Sequence, residues 1–186
     1  MPRFTDKVVI MAGGASGIGE AAGYRLASEG ASVVVADIDT QRGQSTCENI
    51  RTKYSTTALF VEADLTDESA CQQVLARTLE AFGKLDGLVN STGVRPGGGT
   101  VIDTHLDLWN KLIDIDLKAV FLMCKYAIPP MIEAGHGSIV NVSSIGGMGG
   151  APHGMAFQTA KGGLINLTKH MAIAHAPENQ QSSQER

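Results

Sequence analysis

No apolar run in the sequence approaches the roughly eighteen residues a membrane span needs. The opening stretch, Met1 to Lys7, has no signal-peptide apolar core either. Neither a membrane-embedded nor a secreted protein is expected, and a cytoplasmic one is. Cysteine is scarce. Cys47, Cys71 and Cys124 are odd in number and far apart, which excludes a disulfide framework and any CxxC metal or redox motif. They read as small buried hydrophobes. Aromatics are few, with one Trp, three Tyr and five Phe, and the 15 Lys and Arg against 19 Asp and Glu form no basic run. With a net charge of −4, a nucleic-acid partner is disfavoured. His105, His136, His153, His170 and His175 form no HExxH or i, i+4 pair, so no metal site is expected. Asp114 and Asp116, two apart on a helix, point different ways and make no carboxylate dyad.

What is present is glycine, at 22 of 186 residues, in a chain that is 43% hydrophobic and long enough for one domain with its own core. Five short β-branched runs, 7–12, 32–36, 58–62, 85–90 and 138–142, alternate with helical patterns. The runs carry too little polar alternation for one face to meet water, which predicts parallel strands covered on both faces. The longest helical pattern runs from 106 to 133, with Trp109, Leu112, Ile113, Leu117, Val120, Phe121 and Cys124 at helical spacing. Pro129 and Pro130 should bend or close it. A last helix is predicted over 155–175. Strands alternating with helices predict an α/β, doubly wound parallel sheet of Rossmann type over 1–176. From Pro177 onward (PENQQSSQER) no residue is apolar, and 177–186 should be a disordered polar tail. The run Arg95-Pro96-Gly97-Gly98-Gly99 reads as plain linker near the cleft.

Directly after the first strand comes Gly13-Gly14-Ala15-Ser16-Gly17-Ile18-Gly19, leading into a helix. Glycines there let the backbone turn tightly and approach a pyrophosphate, whose charge meets the amides of the helix N-terminus. Asp37 ends the second strand about twenty residues on, where a carboxylate can accept hydrogen bonds from an adenosine ribose. It would repel a 2′-phosphate, and no Arg stands beside it. NAD is therefore expected over NADP.

With these motifs the chain resembles the classical short-chain dehydrogenase/reductase family, from Lys7 to about Ala174. The family's TGxxxGxG appears as Ala12 to Gly19, its post-strand aspartate as Asp64-Leu65, its NNAG as Asn90-Ser91-Thr92-Gly93, and its strand-and-serine segment as Gly137 to Ser144. The resemblance implies that backbone around Gly13, Ser16, Gly17, Ile18 and Gly19 holds the pyrophosphate, and Asp37 the adenosine ribose. It implies that Asp64 and Leu65 hold the adenine, that Asn90 and Gly93 line the passage toward nicotinamide, and that Lys161 bonds the nicotinamide ribose. The implied chemistry is hydride transfer between nicotinamide and a small-molecule alcohol or ketone. In it a tyrosine phenol moves the proton, a lysine lowers its pKa, and a serine, here Ser144, orients the substrate oxygen.

The pattern departs at its centre. The family's YxxxK is Phe157-Gln158-Thr159-Ala160-Lys161, thirteen residues after Ser144, so the phenol position carries a phenylalanine. Seven residues past Trp109, the helix asparagine that holds a relay water is Asp116, a carboxylate that could still hold water. Ala12 replaces the loop threonine, and the lost hydroxyl is expected to be partly restored from Thr92. Without a phenol, a residual reaction through water, Ser144 or Lys161 should be slow. Bland roles are open too, Ser144 as a loop-capping hydroxyl and Lys161 as a solvated helix charge. Family members also continue into further strands and a substrate loop. The resemblance therefore implies a C-terminally truncated core lacking its usual last strands, with the strand at 138–142 an apolar edge able to pair with another chain or a second copy. The expectation is an NAD(H)-binding oxidoreductase of impaired activity, against a silent NAD- or partner-binding module or a truncated, non-functional product.

Overall fold

A computed structural model describes residues 2–94 and 98–175, so the expectations for 95–97 and for the tail lie outside the described residues. The strands β1 (Val8–Ala12), β2 (Ser32–Asp37), β3 (Ala58–Glu62), β4 (Gly87–Asn90) and β5 (Ser138–Asn141) form one parallel sheet in the order β3-β2-β1-β4-β5. The helices α1 (Gly17–Ser28), α2 (Thr40–Tyr54), α3 (Glu68–Phe82), α4 (Leu106–Ile113), α5 (Ala119–Glu133) and α6 (Met155–His175) cover its two faces.

Alternation along β1 sends its side chains to two different cores. Val8, Ile10 and Ala12 pack with Val74, Met123 and Leu164 of α3, α5 and α6, while Val9 and Met11 pack with Ala27 and Ile50 of α1 and α2. The three cysteines are buried in these cores, as expected. Burial pushes the thiols of Cys47 and Cys124 up to about 11 and that of Cys71 up to about 12. All three stay protonated and inert at neutral pH. The chain leaves β1 toward β2 on one side and enters β4 on the other, so the loops after β1 and β4 diverge and open a crevice at the C-terminal end of the sheet.

Two expectations need correction. The long helix is not uniform, because α4 passes through a π-helical turn, Asp114–Lys118, before α5 begins. A π turn inserts an extra residue, and here it turns Asp116 fully into the interior. Pro129 and Pro130 fall inside the last stretch of α5, and the chain turns away at Gly135 with φ +73. They close the helix within a turn rather than bending its middle. The other correction concerns the cover over β5. As expected it is an edge strand, pairing only with β4 among the described residues, but Val140 is 51% exposed, so β5 is not covered on both faces as β1 and β2 are.

At the opposite, N-terminal end of the sheet, Asp86 ties the strand starts together. Its buried carboxylate accepts from Val8 N at 2.9 Å and Lys7 Nζ at 2.9 Å, and sits 3.0 Å from His136 Nε2 and 3.3 Å from Lys84 Nζ. Burial alone would raise its pKa, but Lys7, the Val8 amide, His136 and Lys84 together hold it well below the usual carboxylate range. A depressed folded pKa contributes stability that is present above the unfolded value near 4 and lost as pH falls below it. Asp86→Ala should lower unfolding free energy by about 3 kcal/mol at pH 7, and the gap to wild type should narrow in acid. Urea titrations at pH 7 and pH 3.5 check both; an equal gap at the two pH values would argue against the electrostatic account.

Candidate functional site

The crevice between β1 and β4 is a cavity of about 550 Å³. Its walls include Gly13, Ser16, Gly17 and Ile18 after β1, Asp37 and Ile38 after β2, and Asp64, Leu65 and Thr66 after β3. Backbone bonds carry the ladder past the strand ends and fix these loops: Gly13 N to Ala36 O, Ala63 N to Asp37 O and Ser91 N to Ala12 O, at 2.9 to 3.0 Å.

Close approach explains two of the glycines. Gly13 has φ +77, and a Cβ on it would lie 2.9 Å from the backbone nitrogen of Thr92. A Cβ on Gly19 would lie 2.1 Å from the Gly13 carbonyl oxygen and 2.3 Å from Ser91 Oγ. Gly19 is buried under the loop rather than lining the cavity, so its place in the sequence motif reflects packing of helix against loop. At the start of α1, Ser16 is extended and makes no side-chain cap bond. The first-turn amides there suit an anionic group. Asp37 accepts from Ala15 N and Asp39 N, both at 3.0 Å, which binds the glycine loop to the end of β2 while leaving each oxygen a second lone pair. Asp64 Oδ1 likewise accepts from the amide and hydroxyl of Thr66 at 3.0 and 2.7 Å.

The hydroxyl expected from Thr92 comes from its neighbour. Ser91 Oγ donates toward the carbonyls of Ala12 and Gly13, at 3.0 and 3.1 Å, whereas Thr92 Oγ1 is buried without a hydrogen bond. Successive residues leave β4 on opposite sides, and only Ser91 faces the glycine loop. Ser91→Ala should therefore cost about 1 kcal/mol in urea denaturation, and Thr92→Val much less. The reverse ranking would refute this assignment.

On the other half of the cleft the predicted residues do gather, with altered partners. Asp116 is fully buried, and its Oδ1 lies 3.0 Å from Nζ of Lys161, itself 4% exposed. The ammonium also donates to Val142 O at 3.3 Å and Thr92 O at 3.4 Å, and stands 5.8 Å from the centre of the Phe157 ring. Lys161 is thus no solvated helix charge: its ammonium is buried against Asp116, just behind Gly93 of the cavity wall. Nor does Asp116 face solvent as a water-holding relay would. Burial raises the Asp116 carboxyl above its ordinary value, against the opposing pull of Lys161. Gly93 lines the cavity beside this pair, where a Cβ would lie 3.1 Å from Asp116 Oδ1. Ser144 caps the short 3-10 turn Ile145–Gly147, accepting from Gly146 N at 3.1 Å. Asn90 does not line the passage. It is 1% exposed, and its amide donates to Asn141 Oδ1 at 2.8 Å, because the paired ends of β4 and β5 set the two side chains together beneath α5.

Sequence reasoning missed several walls, among them Ile38, Ser91, Lys111 and Asp114. Lys111 and Asp114 are three residues apart on one helical face, a spacing that could have marked them.

A family model described as short chain dehydrogenase matches residues 7–180. The trans-4-hydroxycyclohexanecarboxylate dehydrogenase of Sinomonas cyclohexanicum is 39% identical over 95% of this chain and 70% of its own. Among solved structures, an NAD+-bound xylitol dehydrogenase superposes with a TM-score of 0.92 at 30% identity, over 95% of this chain and 68% of its own. A carveol dehydrogenase from Mycobacterium avium in complex with NAD gives 0.91 at 27% identity, over 96% and 69%. The chain spans about two thirds of the length of the curated relatives it matches.

Proposed function

The chain belongs to the short chain dehydrogenase family, and from that premise we propose that it binds NAD(H) in the crevice between β1 and β4, as an oxidoreductase whose proton-transfer step is weakened. The observation that carries this reading is the glycine loop. Gly13 and Gly19 clear backbone contacts that any side chain would block, and the uncapped start of α1 offers amides to a pyrophosphate. Gly13, Ser16, Gly17 and Ile18 would hold the pyrophosphate, Asp37 the adenosine ribose, and Asp64 with Leu65 the adenine. The Asp37 carboxylate supports NAD over NADP, since Arg42, the next arginine along the chain, leans on Asp39 at 3.6 Å. When bound, the nicotinamide supplies or accepts the hydride exchanged with a small alcohol or ketone.

Phe157 occupies the place of the family's phenol and can move no proton. A positioned acid or base is worth about 10²- to 10⁴-fold, so turnover by the chain as it stands should be slow. Ser144 can still donate its hydroxyl proton to a substrate oxygen. The buried ammonium of Lys161 favours a second reading, a catalytically silent NAD-binding or partner-binding module.

The test pairs binding with turnover. NADH should bind, seen by enhanced nicotinamide fluorescence, and NADPH at least tenfold more weakly. Assays on a panel of alcohols and ketones, alicyclic ones included, should show little turnover. Equal affinity for both cofactors would overturn the NAD preference, no binding would overturn the reading as a whole, and brisk turnover would overturn the account of Phe157.

A further inference from the structure

We propose that Asp116 is a positioning residue that commits the charge of Lys161 to an internal ion pair, so that Asp116 and Phe157 form one coupled unit. Changing residue 157 alone would then not restore a proton-transferring site. The inference rests on the reading of Phe157 given above, but it concerns electrostatics that exist without any cofactor.

The ammonium is held from several directions. Lys161 Nζ meets the Asp116 carboxylate at 3.0 Å, the carbonyls of Val142 and Thr92 at 3.3 and 3.4 Å, and the face of Phe157 at 5.8 Å. Two of its protons go to the backbone carbonyls, and the Asp116 carboxylate stands at ion-pair distance. Those oxygens come from three elements: the π turn, the end of β5 and the end of β4. The pair is therefore fixed by the fold and is not one rotamer among many.

A lone lysine near a phenol would favour its ionised form. At about 6 Å and an effective dielectric near 20, one positive charge lowers a phenol pKa by roughly two pH units. The Asp116 carboxylate, 3.0 Å from that ammonium, carries the opposite charge and opposes the shift. What a phenol at 157 would feel is a short dipole rather than a cation.

Among the described residues the neighbours supply no substitute charge. On α6 the charged group at the Phe157 ring is Lys161, Lys169 lying twelve residues beyond Phe157 along the helix, and from the π turn the group facing Lys161 is Asp116. The 3-10 turn packed on α6 contributes the Ser144 hydroxyl and glycines around Gly146, where a Cβ would lie 3.8 Å from the Phe157 ring. The ends of β4 and β5 contribute carbonyls. Asp114, from the same π turn, pairs outward with Lys118 at 2.8 Å, and Lys111 lines the cavity.

The experiment reads the phenol directly in cofactor-free protein. Phe157→Tyr and the double variant Phe157→Tyr/Asp116→Asn are titrated by tyrosinate absorbance, subtracting the parent and Asp116→Asn traces to remove Tyr24, Tyr54 and Tyr126. In the single variant the introduced phenol should titrate within about one pH unit of the ordinary tyrosine value near 10. In the double variant it should ionise with a dissociation constant at least tenfold larger. Identical titrations in the two backgrounds would overturn the proposal, as would a strongly acidic phenol in the single variant. If the double variant unfolds on warming before it can be titrated, Asp116→Ser in the Phe157→Tyr background carries the same expectation. NADH binding is measured separately on each variant. Its loss counts against the cofactor reading, while the phenol titration counts for or against the coupling alone. Where turnover is measured, the gain from both changes together should exceed the product of the single gains by about tenfold.

Discussion

Gly19→Ala is expected to lose NADH affinity by more than about 100-fold and to destabilise the protein by about 3 kcal/mol or more. The added methyl would sit 2.1 Å from the Gly13 carbonyl oxygen and 2.3 Å from Ser91 Oγ. The first of these is backbone, already pinned by the bond from Gly13 N to Ala36 O, so the glycine loop must lift off the start of α1. Lifting it also breaks the Ser91 contacts to Ala12 and Gly13 and moves the amides that would hold a pyrophosphate. Gly17→Ala is the control. It stands two residues earlier in the same motif, has nothing within 4 Å of a Cβ, and suffers only from its φ of +58, a cost of about 1 kcal/mol. Urea midpoints, measured for both, separate close packing from backbone strain, and nicotinamide fluorescence is read for Gly19→Ala. Comparable losses of stability at the two positions would mean that the clash at Gly19 is not what fixes the loop.

That contrast also shows how far the sequence could be read. Periodicity and β-branching marked all five strands, since burial on both faces of a parallel sheet leaves a local compositional trace. The edge strand β5 kept that trace although one side of it is open. The order Gly13 to Gly19 then Asp37 marked the crevice, because strand, loop and helix are consecutive in the chain. Residues whose roles depend on distant partners left no such mark. Asp86 gathers Val8 and His136 from positions 78 and 50 residues away, and Lys161 finds Asp116 through a π turn that no local pattern announces. The displaced hydroxyl was a near miss of the same kind. Thr92 and Ser91 are adjacent, and only the direction in which the chain leaves β4 decides which of them faces the loop.

Lys161→Met should be the most costly change at the cleft, at about 3 to 5 kcal/mol near pH 8, because it leaves the fully buried Asp116 carboxylate without its cation. Methionine keeps the unbranched stem that packs in α6, so the cost is assigned to charge rather than volume. The pH dependence has a definite sign. Burial already raises the Asp116 carboxyl above its ordinary value, with Lys161 opposing, and removing Lys161 must raise it further. A folded pKa above the unfolded one, near 3.9, favours the protonated folded form. Stability is then greatest below the unfolded pKa and is lost as pH rises through the folded one. The penalty relative to wild type should therefore grow from pH 5 to pH 8, a rise of the same sign as that expected when Asp86 is removed but in a higher pH window. Adding Asp116→Asn to Lys161→Met should recover much of the loss and flatten the profile, since a neutral amide carries no charge to desolvate. Urea denaturation of the two variants and wild type at pH 5, 6.5 and 8 checks it. A penalty independent of pH, or one that the asparagine leaves untouched, would show that Lys161 holds these loops through its carbonyl contacts and not through Asp116.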